Sequence, residues 1–259
     1  MQEADLALLI DTARCAGRVA TSFVGKTAKC WDKPGGAGPV TEADLAVNDL
    51  LQNTLCTARP NYGWLSEETE DGTARLDCDR VFIVDPIDGT RSFVEGSNTW
   101  AHSLAVAEHG VVTAAVIYLP LRDKLYAAAL GRGSTLNGQP ILAAGTGELS
   151  DAKVLAARPA LDTEHWRGAV PEFKRHYRPS LAYRLGLVAE GCFDAMLTLR
   201  RSWEWDIAGG ALIVTEAGGI CSDRIGSDLR FNNAEPLLDG VVAGAPDTHA
   251  SLIAALATA

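Results

Sequence analysis

The sequence predicts a layered α/β protein with its functional site between two halves. Segments with apolar residues at helical spacing recur along the chain among short apolar runs. Those runs do not alternate polar with apolar residues, as expected of strands covered on both faces. At 259 residues, 47% of them hydrophobic, the chain can bury a core large enough for several layers. One domain over 1–259 is expected, with an α+β half over about 1–145 and an α/β half over about 146–259.

Leu6, Leu9, Ile10, Ala13, Ala16, Ala20 and Phe23 share a helical face, which predicts a first helix ending near Gly25. The Gly/Pro-rich run Asp32–Val40 reads as a loop. Thr41 opens a second helix, with Val47, Leu50, Leu51, Leu55 and Ala58 on one face, and Arg59-Pro60 stops it. Val81–Val84 is a short apolar run closed by Asp85-Pro86, which predicts a buried strand. From 103 to 129, two strand-like runs flank the turn Pro120–Asp123, as in a meander. Beyond the turn-rich stretch 131–140 come a strand near Lys153–Ala156 and a loop with Pro159 and Pro171. Helices follow near Leu181–Glu190, near Trp205–Ala217 and after Asp247.

Acidic residues number 33 against 23 basic, a net charge of −10, which opposes binding to nucleic acid polymers or anionic membranes. An anionic ligand must therefore meet local positive charge, from a few basic side chains or a bound cation. Six scattered cysteines without C-x-x-C spacing suggest neither a zinc site nor a disulfide framework, and fit a reducing compartment. The N-terminal segment carries acidic residues inside its apolar pattern, unlike a signal peptide, and no run approaches the roughly 18 apolar residues of a membrane span. A cytoplasmic location is expected.

The chemistry-bearing segment is Val81–Thr90. It delivers Asp85 and Asp88 at the end of an apolar strand, with Pro86 shaping the turn and Gly89-Thr90 offering backbone amides to an anion. Carboxylates for a hard cation beside amides for a phosphate is the adjacency magnesium chemistry needs. Taken alone, the same residues describe a turn with a helix cap. Glu67 and Glu68 follow a short apolar run and read equally as a solvated loop. Thr41-x-x-Asp44 is a capping-box pattern, and Asp206 sits in the first turn of a helix, where its dipole favours negative charge.

Together these segments resemble the inositol monophosphatase superfamily of magnesium-dependent, lithium-sensitive phosphatases. Its D-P-(I/L)-D-G-T stands as Asp85-Pro86-Ile87-Asp88-Gly89-Thr90, and its W-D-x-A-(A/G)-G as Trp205-Asp206-Ile207-Ala208-Gly209-Gly210, followed by Glu216-Ala217-Gly218-Gly219. G-E-E is similar to Ser66-Glu67-Glu68, with serine replacing glycine, and V-T-x-A-D to Val40–Asp44. The resemblance implies an α-β-α-β-α sandwich, a homodimer, and two or three Mg2+ ions held by Glu67, Asp85, the Ile87 carbonyl, Asp88 and Asp206. It further implies that Gly89, Thr90, Asp88 and Asp206 meet the substrate, and that Glu67 and Thr90, with Asp44 behind the threonine, position the attacking water. Direct water attack then needs no serine or cysteine nucleophile.

For the substrate, inositol and histidinol-phosphate phosphatases usually carry an acidic residue seven positions before the W-D aspartate, where this chain has Leu199. Glu204-Trp205-Asp206 and Ser180–Arg184 are instead similar in wording to 3'(2'),5'-bisphosphate nucleotidases. Arg184, Arg200 and Arg201 are candidates for a second phosphate, or are solvated surface residues. Tyr183 or Trp203 could stack on a base, or serve the core. The expected activity is hydrolysis of 3'-phosphoadenosine 5'-phosphate to AMP. The alternatives are an inositol-1-phosphate phosphatase of broad tolerance and an interaction module contacting transcription machinery.

Overall fold

The computed structural model describes residues 2–24, 28–33, 35, 38–145 and 148–257. Gly25, where the first helix was expected to end, lies outside these, as do residues 146 and 147 at the expected boundary between halves. The chain begins α1 (Gln2–Phe23), β1 (Cys30–Asp32), β2 (Pro39–Thr41), α2 (Glu42–Ala58) and β3 (Gly63–Ser66). It continues through β4 (Arg80–Asp88), α3 (Thr90–Val94), β5 (Ala101–Glu108), β6 (Val111–Leu119), β7 (Lys124–Ala129), β8 (Ser134–Leu136) and β9 (Gln139–Ile141). Next come β10 (Lys153–Ala156), β11 (Lys174–His176), α4 (Leu181–Ala189), β12 (Ala195–Thr198), β13 (Ser202–Trp203) and α5 (Glu204–Glu216). The last elements are β14 (Ile220–Ser222), β15 (Leu237–Leu238), β16 (Val241–Gly244) and α6 (Pro246–Ala255).

Two sheets organise the molecule. The first runs β3-β4-β5-β6-β7-β8-β9, with β3 parallel to β4 and every later pair antiparallel. The second runs β11-β10-β12-β16-β14. Successive residues of a strand point to opposite faces, and here both faces are dry. On β4, Phe82 and Val84 pack with Leu9, Val47 and Leu51 of α1 and α2, while Val81 and Ile83 pack with Leu185, Ile207 and Leu212 of α4 and α5. Leu155, Met196 and Ala243 of the second sheet close the far side of α4 and α5, and its outer face packs on Leu252 of α6. The order of layers is therefore α-β-α-β-α. Burying each large side chain such as Phe82 or Leu51 contributes about 1.5–3 kcal/mol, which explains why strands covered on both sides are continuously apolar.

The same logic explains α5. It lies between two sheets and is buried from Glu204 to Val214 apart from Asp206, so it is apolar around its whole circumference. Glycine allows the close packing of α4 on α5: a Cβ at Gly210 would collide with the Cβ of Leu185.

Two expectations are corrected. Asp32–Val40 was expected to be loop throughout, but Asp32 ends β1 and Pro39 and Val40 belong to β2, paired antiparallel as Trp31↔Val40 and Asp32↔Pro39. Proline at the first position of an edge strand is tolerated, and here it masked the pairing. The β4 strand does not end before Asp85 either. Its pairing with β5 resumes at Asp88↔Ala101 after a bulge that follows Asp85↔Ser103.

Gly210→Ala should destabilise the fold by about 1–3 kcal/mol through overpacking against Leu185. Urea denaturation checks this, and an unchanged midpoint would show that the α4/α5 contact can relax.

Candidate active site

Asp85 and Asp88 stand at the C-terminal end of β4, and Asp206 stands in the first turn of α5 facing them. Each offers a carboxylate oxygen, and the three oxygens lie within 4.8 Å of one another. Asp85 is 1% exposed and Asp88 7%, and Asp206 is partly exposed, so three like charges share a site largely shielded from water. Burial, and then the charges of Glu67, Asp88 and Asp206, hold the Asp85 carboxyl well above the usual carboxylate range. Burial, then Asp88 and Glu67, do the same to Asp206. Asp88 is pushed up to about 6 by burial, against the opposing hydrogen bonds of Ser180 and Ala182. An all-oxygen, carboxylate-rich set fits a hard divalent cation such as Mg2+.

Hydrogen bonds from the chain fix these carboxylates. The Ile87 amide donates to Asp85 Oδ1 at 2.9 Å. Ser180 Oγ and the Ala182 amide donate to Asp88 Oδ2 at 2.6 and 2.7 Å. Ser180 is also the N-cap of α4, accepting from the Tyr183 amide. Asp206 is held through its backbone neighbour, since Ser103 Oγ of β5 donates to the Trp205 carbonyl at 2.9 Å.

Asp44 contacts both Thr41 and Thr90. One oxygen completes the capping box with Thr41, and the other accepts from Thr90 Oγ1 at 3.1 Å. Thr90 Oγ1 also lies 3.2 Å from the Ile87 carbonyl. Gly89 takes φ +98°, a left-handed conformation that glycine adopts without strain, and thereby turns the chain from β4 into α3. Glu67 lies close enough to raise the three aspartates, but its own carboxylate is paired with Lys33 Nζ at 2.8 Å. Lys33 Nζ also meets Glu68 at 2.7 Å, and burial holds the Glu68 carboxyl at about 7. Ser66, the departure from glycine, needs no special backbone conformation. Its hydroxyl donates to Asn48 Oδ1 at 2.7 Å and so ties the Glu67 loop to α2.

Beside the N-terminus of α4 is a cavity of about 250 Å³ lined by Arg184, Arg200, Leu199, Tyr177 and His165, among others, and by no carboxylate among the described residues. Arg184 is 4% exposed. Its Nε donates to the Arg178 carbonyl, and its guanidinium lies 4.7 Å from the centre of the Tyr177 ring. Arg201 does not line this cavity and pairs with Glu235 at 2.9 Å. Tyr183 is buried under Arg122, while Trp203 is 40% exposed and stacks on Trp205 at 4.7 Å. Nothing in the sequence marked Lys33 as a partner of Glu67, or Ser180, noted only for the wording of its segment, as a partner of Asp88. One sits in a Gly/Pro-rich stretch and the other looks like any N-cap.

The family model for the inositol monophosphatase family matches residues 1–259. The chain belongs to the inositol monophosphatase family. It is 32% identical over 253 residues to an inositol-1-monophosphatase of Mesorhizobium japonicum, covering 92% of this chain and 91% of that one. It is 33% identical over 200 residues, 73% of each chain, to the Nus factor SuhB of Pseudomonas aeruginosa. Among solved structures, the extragenic suppressor protein suhB of Bartonella henselae superposes with a TM-score of 0.83 at 28% identity, covering 97% of both chains. A Thermotoga maritima IMPase superposes at 0.82 and 26% identity, covering 98% of this chain and 96% of that one. Members of the inositol monophosphatase family are magnesium-dependent phosphomonoesterases, and this chain is a metal-dependent phosphoric monoester hydrolase. No helix among the described residues is long and apolar enough to cross a membrane.

In metal-free protein the raised Asp88 contributes stability below its ordinary value of 3.8, and that contribution is lost as pH rises through about 6. Asp88→Asn keeps an acceptor for Ser180 and Ala182 while removing the charge. In EDTA at pH 8 it should stabilise the fold by up to about 3 kcal/mol, with the gap shrinking between pH 6 and pH 4. Thermal melts across pH read this directly, and parallel curves for the two proteins would show that Asp88 is not strained.

Proposed function

We propose that the chain hydrolyses a small phosphate monoester bearing a second anionic group, of the kind a nucleoside 3'(2'),5'-bisphosphate presents, releasing AMP and phosphate from 3'-phosphoadenosine 5'-phosphate. The observation that carries this reading is the cavity beside Asp88, with Arg184 and Arg200 in its lining and Leu199 where a hydroxyl-binding carboxylate would favour inositol. An arginine fork matches a phosphate in geometry and charge, whereas vicinal hydroxyls are better met by carboxylates.

Asp85, Asp88, Asp206, Glu67 and the Ile87 carbonyl would hold two or three Mg2+ ions. When bound, the metal supplies positive charge to the phosphoryl oxygens and acidifies water. The chain's own groups do the rest. Thr90 Oγ1 donates its proton to Asp44 or to the Ile87 carbonyl, which leaves its lone pairs to orient a water. Glu67 accepts that water's proton as its oxygen approaches phosphorus opposite the leaving oxygen, and the Gly89 and Thr90 amides receive the phosphate. The P–O bond to the leaving group breaks as the bond to water forms, with inversion and no phosphoenzyme; the leaving oxygen takes a proton from a second water, and the proton held by Glu67 returns to solvent, so that alcohol and inorganic phosphate are released.

A second reading, hydrolysis of inositol 1-phosphate, is favoured by the name of the Mesorhizobium relative. A reading of another class, an interaction module contacting transcription machinery, is favoured by the name of the Pseudomonas relative. It would gain if the chain bound RNA polymerase equally well with Asp88→Asn.

Phosphate release with Mg2+ from 3'-phosphoadenosine 5'-phosphate and inositol 1-phosphate, compared by kcat/KM, separates the first two readings. The nucleotide should be preferred, and Arg200→Ala should lower its kcat/KM about tenfold or more while sparing inositol 1-phosphate. Preference for inositol 1-phosphate would overturn the nucleotidase reading. Asp206→Ala should remove turnover on either substrate while the protein stays folded, and an active Asp206→Ala protein would remove the metal assignment.

A further inference from the structure

The bulge in β4 sets two residues, Pro86 and Ile87, against a single residue of β5, His102, between the pairs Asp85↔Ser103 and Asp88↔Ala101. A bulge leaves backbone groups outside the ladder, and Pro86 has no amide to donate. Its carbonyl is met by a side chain: His102 Nδ1 lies in hydrogen-bonding contact with the Pro86 oxygen, and His102 is fully buried. A carbonyl only accepts, so Nδ1 carries the proton.

The Pro86 carbonyl and the Ile87 amide belong to one peptide unit, which is planar and turns as a rigid body. Its oxygen is fixed by His102 and its N–H donates to Asp85 Oδ1 at 2.9 Å. The two contacts lie on opposite faces of the sheet. By strand alternation His102 points with Leu104 and Val106 toward the layer of α1 and α2, whereas Asp85 points with Val81 and Ile83 toward α5. Trp100 and Tyr118 flank the imidazole, with ring centres 5.4 and 6.3 Å from it, and Phe93 packs on Trp100 at 5.1 Å, so the ring has little freedom to turn.

We propose that His102 is a positioning residue, setting the orientation of the Asp85 carboxylate through the Pro86–Ile87 peptide. The inference rests on the reading that Asp85 holds the cation. Without the His102 contact the peptide can rotate, its N–H leaves Asp85, and the carboxylate loses its preset direction. The loss falls on cation binding and leaves the substrate contacts on α4 in place.

The test titrates Mn2+ into substrate-free wild-type, His102→Leu and His102→Asn proteins by calorimetry, alongside kcat and KM at saturating Mg2+. Leucine fills the space without a donor, whereas the asparagine amide places an N–H near the position of Nδ1. His102→Leu should weaken Mn2+ binding about tenfold or more, as loss of a group that orients a metal ligand does, with substrate KM within about twofold. His102→Asn should recover most of that affinity. Equal binding by His102→Leu and wild type, or equal loss in both variants, would overturn the proposal, the latter by showing that only packing matters. Wild-type protein that binds no Mn2+ would instead overturn the metal reading beneath it. Should the leucine variant not fold, long-range 1H–15N spectra of histidine-labelled wild-type protein still decide. A His102 ring protonated at Nδ1 supports the proposal, and one protonated at Nε2 overturns it.

Discussion

Mutual repulsion among Asp85, Asp88 and Asp206 is the constraint on which the rest of the site depends. Two unit charges about 4 Å apart repel by on the order of 4 kcal/mol at the dielectric typical of protein electrostatics. A whole domain is stable by only about 5–15 kcal/mol. A flexible loop under that load would swing its carboxylates apart into water. Here two of them are carried on β4, whose residues from Val81 to Asp88 are all buried, and the third on a helix clamped between two sheets. The oxygens remain within 4.8 Å because the strand and the helix that carry them are packed in the core.

What holds α5 in register with β4 is correspondingly polar and specific. Ser103 Oγ reaches the Trp205 carbonyl, and Gly209 passes so close to β5 that an added Cβ would stand 3.2 Å from the same hydroxyl. On the other side, buried Glu204 accepts from the Asn232 and Asn233 amides. Arg75 donates to Asn232 Oδ1, to the Asn233 carbonyl and to Asp71. The loop that follows Glu67 is therefore tied to the first turn of the helix bearing Asp206. Every member is paired, as a buried polar network must be if it is to fix geometry and not weaken the core.

The parts legible in the sequence were those written in local pattern. The helix over Gln2–Phe23 follows from its apolar spacing, and the buried strand at Val81–Val84 from its apolar run, although that strand continues to Asp88. Hidden features depend on contacts distant along the chain. Lys33 meets Glu67 34 residues on, and Arg75 meets Asn232 157 residues on. The role of His102 depends on strand register, which shifts by one residue at the bulge, and no periodicity reveals that. The β1/β2 hairpin failed to show for the opposite reason, because its Gly and Pro content argued locally against strands that a short edge pairing nevertheless accommodates.

Charge in the site is separated, not cancelled. Three carboxylates cluster at the ends of β4 and α5, Arg184 and Arg200 line the neighbouring cavity, and among the described residues neither arginine makes an ion pair. Burial lowers the affinity of Arg184 for its proton, yet a guanidinium keeps its charge at any physiological pH. Letting Arg184 fold onto Asp88 would relieve both groups at once. Its Nε is instead held by the Arg178 carbonyl and its face by Tyr177, while Asp88 is taken by Ser180 and Ala182. A protein carrying a net charge of −10 thus keeps a fixed cation unneutralised beside a fixed anionic cluster. A substrate of the kind proposed, with one phosphate at the metal-holding carboxylates and a second anionic group at the arginines, would meet both.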